Sequence, residues 1–165
     1  MRIVLMPGCL ALLPEYASLN DPVADLRRAV LEAVSWLGEE VEIIGTEQGR
    51  RVAASALAAR PRVAADTGEE RSVLVVANGS ACRTERAPGF LDPRAEAFDS
   101  DLGAALREPS AAALGAVDRR LAEELWADVA ALPELAALLA EARTVAVDHD
   151  VAPYGVQYWV VRWEA

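Results

Sequence analysis

Two cysteines, a single histidine and one polar turn carry most of the chemistry open to this 165-residue chain. Cys82 sits in "NGSACRTERAPGFLDPRAEAFDSDL" beside Arg83, with Arg86 close by. A neighbouring guanidinium favours the thiolate, the form that attacks carbon or ligates metal. Cysteines in such settings more often pack, so a packing role is the first expectation for Cys82 and thiol chemistry the second. His149 lies between Asp148 and Asp150. A solvated imidazole at a strand end is the first expectation, and it becomes a catalytic partner for Cys82 only where the strand around Thr144–Val147 points into the same crevice. Cys9, Cys82 and His149 offer the soft donors that zinc takes, but at spacings that match no local zinc motif. "NGSAC" is not a Gly-x-Ser-x-Gly nucleophile elbow, so Asn78, Gly79 and Ser80 are expected to form a polar turn.

The elements that position these residues follow from periodicity. Arg2 to Met6 is a short apolar run closed by Pro7 and Gly8, a buried strand meeting a loop. Val23, Leu26, Val30, Val34 and Leu37 recur at helical spacing between a cap at Asn20 and a stop at Gly38. "EVEIIG" is a second strand, and "EQGRRVAASALAAR" a helix stopped by Pro61. "SVLVVANG" is apolar without alternation, as expected of a strand covered on both faces in a parallel sheet. From Arg94 to Ala142 the pattern is helical, with Pro109 and Pro133 marking helix starts, and "TVAVDHD" and "VQYWVVRWE" are closing strands around "APYG". This order predicts one α/β domain over residues 1–165, layered α/β/α, with a mainly parallel central sheet.

In such a sheet ligands bind beyond the carboxyl ends of the strands. Gly8 and Cys9 follow the first strand, Gly45 to Glu47 the second, and Asn78 to Arg83 the third. Gly8, Cys9, Asn78, Ser80, Cys82 and Arg83 are therefore the crevice candidates, with Arg83 the expected anchor for a small anionic or aromatic ligand or, alternatively, the partner of an internal acid in a pocket filled by side chains. The acidic residues of "PRAEAFDSDL" and "RRLAEELWADV" lie opposite apolar positions and are expected on solvated helix faces. Tyr158, Trp159 and Trp163 put bulky groups on both faces of the last strand, which implies core or a homodimer contact through the C-terminal strand region.

With 16 basic against 26 acidic residues the net charge is −10, which excludes nucleic acid and an anionic membrane surface as natural partners. "MRIVLMPG" lacks the apolar core of a signal peptide and no apolar run is long enough to span a bilayer. A cytoplasmic protein with reduced thiols is expected.

Three stretches are similar to a known family. "MPGCLALLPE" at Pro7, Pro14 and Glu15, "NGSACRTERAPGFLDPRAEAFDSDL" through Arg83, Gly89, Phe90, Asp92, Pro93, Phe98 and Asp99, and the closing "APYGVQYWVVRW" resemble class III extradiol ring-cleavage dioxygenases of the subunit-B type. The resemblance implies that family's fold and its chemistry: ferrous iron on two histidines and a glutamate, a catechol bound beside O2, and a further histidine as acid and base. On this alignment the first ligand falls at Gly8, the second near Ile44 to Glu47, the acid/base at Cys82, and the glutamate loosely at Glu134. A chain with one histidine cannot supply two histidine ligands. The resemblance thus implies a degenerate, non-catalytic relative with no cofactor, retaining a crevice for a small molecule or a protein. Two alternatives stay open: an altered enzyme using Fe(II), Zn or the Cys82 thiol, and a structural subunit of a larger complex.

Overall fold

A computed structural model describes residues 1–16, 20–61 and 70–165. The elements run β1 (Arg2–Met6), α1 (Ala24–Ser35), β2 (Val41–Ile44), α2 (Glu47–Ala59), β3 (Ser72–Val76), α3 (Ala95–Arg107), α4 (Ala111–Gly115), α5 (Arg119–Glu124), α6 (Leu132–Leu138), β4 (Arg143–Val151) and β5 (Tyr158–Glu164). Their starts have local causes. The Thr46 hydroxyl accepts the Gly49 N–H at the head of α2, and the Asp118 carboxylate accepts those of Arg120 and Leu121 at the head of α5. Asn20 does not cap α1, because the first helical residue is Ala24 and the nearer Asp21 takes the Val23 N–H while its other oxygen holds Arg27 at 2.6 Å.

The five strands form one sheet in the order β2-β3-β1-β5-β4. β1, β2 and β3 pair in parallel, whereas β5 pairs antiparallel with both β1 and β4. The sheet is therefore mixed, where a mainly parallel one was expected. The reason is the connection at "APYG": only the residues from Ala152 to Gln157 separate β4 from β5, and a parallel return needs a crossover of a dozen or more.

Helices cover both faces. Val4, Met6, Leu74, Val76 and Val160 pack against α1 and α2, while Ile3, Leu5, Val73, Val75 and Trp163 pack against α3 to α6. The Trp163 indole donates to the Leu106 carbonyl at 3.1 Å, tying α3 to β5. β5 is thus an internal strand whose aromatic residues are core, so the ground for a dimer through it, apolar faces left without cover, is absent.

Candidate functional site

The strand ends converge as the open-sheet rule requires, and the groups that meet there bond to one another. The Gly8 N–H donates to Asn78 Oδ1 at 2.8 Å, joining the ends of β1 and β3, and the Gln48 side chain donates to the Gly8 carbonyl at 3.1 Å. A Cβ on Gly8 would lie 3.3 Å from Val76 Cγ1 and 3.4 Å from the Gly49 Cα. Gly49 is itself needed for this approach, since its own Cβ would come within 2.9 Å of Val76 Cγ1. The first turn of α2 therefore closes on the position where the resemblance puts a metal ligand.

Past Asn78 the chain continues as an extension of the sheet. Gly79 donates to the Gln157 carbonyl, Gln157 to the Ser80 carbonyl and Arg83 to the Gly155 carbonyl, at 2.9–3.0 Å. This pairing seats Ser80 over Asp99, a buried carboxylate on α3 that accepts the Ser80 N–H at 2.7 Å and its hydroxyl at 2.6 Å. Arg83 completes the cluster, with Nη1 3.3 Å from Asp99 Oδ2 and 3.4 Å from Gln157 Oε1 and Nη2 3.6 Å from Glu96. Burial pushes the Asp99 carboxyl up, opposed by the Ser80 and Arg83 hydrogen bonds. Of the two expectations for Arg83, the geometry shows the pairing with an internal acid and not a guanidinium left open to an external anion.

Cys82 is 1% exposed. It packs against Ala95 and Leu125, and its Sγ reaches two carbonyls, Leu125 at 3.4 Å and Gly89 at 3.5 Å. Burial first, then the charges of Asp92 and Asp99, push its thiol up, and only Arg94 opposes them. Cys82 takes the packing role that was the first expectation, and the guanidinium that could have favoured its thiolate points at Asp99. Adjacency in sequence gave no direction for the side chain.

The remaining candidates lie apart. Cys9 is half-buried on the α1/α2 face beside Tyr158, whose phenol is pushed up by burial first and by the neighbouring Cys9 second. His149 pairs with Val160 across the β4–β5 ladder, on that same face. Its Nε2 is buried with no hydrogen-bond partner among the described residues. Burial pushes its pKa below 6.5, opposed by Asp150 and Asp25. The structure therefore brings neither the Cys82–His149 pair nor the Cys9, Cys82 and His149 set together. The described residues contain no group of three or more His, Cys, Asp or Glu placed to hold a metal ion. Glu134 is exposed on α6.

Two features had no signal in the sequence. Phe90, Trp126 and Tyr154, all exposed aromatics, are the non-glycine residues with positive φ among the described residues, at 60°, 57° and 56°. They stand on three loops bonded around Cys82, through Gly89 to Ala81, Ala81 to Leu125 and Arg83 to Gly155. The second feature is a cavity of about 560 Å³ between α3 and the α4–α5 pair, which none of the six crevice candidates lines. No described helix is long and apolar enough to cross a membrane.

Comparison with known proteins assigns no family: no family model matches the chain, and no curated protein matches it.

Proposed function

We propose that the protein is a non-catalytic relative of the class III extradiol dioxygenases that acts by binding. The observation that carries this proposal is the state of Cys82 and Arg83. The residue aligned with the family's acid/base is a buried thiol held by two carbonyls, and the cation beside it is neutralised by buried Asp99. Acid/base catalysis needs a group whose proton is exchangeable near neutral pH and within reach of substrate. Cys82 meets neither condition, since burial keeps it protonated and closed off. Helices on both faces of one sheet and the convergence of Gly8 and Asn78 agree with this reading, and the turn of α2 packed on Gly8 supports the loss of the family's metal position. Self-association belongs to this proposal through the outer edge of β4, which exposes Val145, Val147 and Val151, and not through β5.

The test is anaerobic reconstitution with ferrous iron followed by addition of catechols and O2. The expected result is no stoichiometric iron and no ring-opened product. A thiol-reagent titration on the native protein is expected to label Cys9 and leave Cys82 unmodified until unfolding. Iron near one equivalent per chain with accumulating ring-opened product, or Cys82 modified as fast as a free thiol, would overturn the proposal.

A further inference from the structure

The cavity between α3 and the α4–α5 pair has the dimensions of a small-molecule site. One of its walls is a single stripe of α3 and the residue before it, in which Arg94, Ala97, Phe98, Asp101, Leu102 and Ala105 recur at helical spacing. Val117, Asp118 and Leu121 stand opposite. Phe98 and Leu121 also pack against the Cys82 cluster, so the cavity wall is braced from behind by a buried core.

The polar groups on the rim decide the chemistry of an occupant. Among the described residues Arg94 carries the one positive charge in the lining, and it is already engaged: its guanidinium donates to Asp92 at 2.7 Å and 3.0 Å and to Glu124 at 2.8 Å. Asp101 is exposed and has no partner among the described residues. Asp118 uses Oδ1 to cap α5 and keeps Oδ2 open. The acceptors left over are thus carboxylate oxygens around an apolar hollow, on a chain of net charge −10. That field favours a cation and repels an anion.

We propose that this cavity binds a small apolar ammonium compound, an alkyl or aryl amine, with its body against Phe98, Leu102 and Leu121 and its charge at the Asp101 and Asp118 rim. The site supplies the ligand for the binding role proposed above and rests on that role. Its chemistry is independent of the strand-end crevice, so amine binding and iron-dependent catalysis can fail separately.

Calorimetric titration with decylammonium, decanol and decanoate, each below its micelle concentration, tests the assignment. Decylammonium is expected to bind about tenfold more tightly than decanol, the equivalent of one charge-assisted hydrogen bond, with decanoate weakest. Asp101→Asn is expected to narrow the gap between amine and alcohol. Ala97→Trp fills the hollow from an exposed wall position without touching the core and is expected to abolish binding of all probes. Equal binding of the three probes, no binding of any, or decylammonium binding that survives Ala97→Trp overturns the proposal. Self-association of the protein that Ala97→Trp removes also overturns it, by giving the hollow to a second copy.

Discussion

At the scale of single residues, burial decides more than sequence neighbourhood does. Cys82 and His149 both sit beside charged residues that argue for an active ionised form, and for both the folded environment reverses the outcome. His149 is flanked by Asp148 and Asp150, yet desolvation of its ring outweighs the carboxylates and holds its pKa below 6.5. The unfolded chain therefore takes up a proton before the folded one does. This contribution to stability is present above pH 6.5 and is lost as the pH falls through the lowered folded value. The unfolding free energy is expected to fall on acidification from pH 7 to 5, and a His149→Gln variant is expected to show a flatter profile over that range. With one histidine in the chain, a single imidazole NMR titration reads the folded value directly. A midpoint at or above 6.5 would contradict the assignment. The roles of Cys82 and Arg83 were legible in the sequence only as a pair of alternatives, since nothing in "ACRTE" says that Arg83 reaches back to Asp99, 16 residues on.

At the scale of elements, the functional region is a loop recruited into the sheet. The segment from Gly79 to Arg83 hydrogen-bonds the turn between β4 and β5, and that pairing presses Gly79 into the core. A Cβ there would stand 2.7 Å from each of Asp99 Oδ1, Gln157 Cβ and Trp159 Cη2. None of these is the free end of a flexible chain, so Gly79→Ala must displace the Asp99 cluster. Its cost is expected to be about 3 kcal/mol. Gly115, whose Cβ would meet nothing within 4 Å, is the control, and Gly115→Ala is expected to leave stability within about 0.5 kcal/mol of the parent. Denaturant unfolding of the two variants checks both values, and equal stabilities would show that the loop yields. The elements themselves were readable from apolar periodicity: all five strands and the helices α1 to α3 lie where the pattern puts them. The direction of β5 was not read, although the short "APYG" turn held the information. The stretch from Ala111 to Leu138 is three short helices, capped by Ser110 and Asp118 and carrying Pro133 in the first turn of the last.

At the scale of the whole molecule, topology and charge act together on assembly. From β1 to β2 the chain moves two places across the sheet, and from β2 to β3 it moves one place back, yet α1 and α2 both lie on one face. Two parallel crossovers in opposite directions on the same face have opposite hands, so one of them departs from the usual right-handed rule. Among the described residues β4 pairs with β5 alone, which makes it an outer strand and, at nine residues, a long one. Its edge carries Val145, Val147 and Val151 exposed, and bulges between Thr144 and Ala146 and between Val147 and His149 interrupt its register. An unpaired edge of this length is a template for a second strand, whereas bulges and like charge oppose the pairing. The charge term is screened by salt, and the backbone term is not. Sedimentation is therefore expected to show a weak dimer that strengthens as ionic strength rises, because a net charge of −10 on each copy resists the encounter at low salt. Val147→Glu places two more carboxylates where paired edges would meet and is expected to abolish the dimer at every salt concentration. A monomer throughout, or a dimer indifferent to Val147→Glu, would remove β4 as the contact.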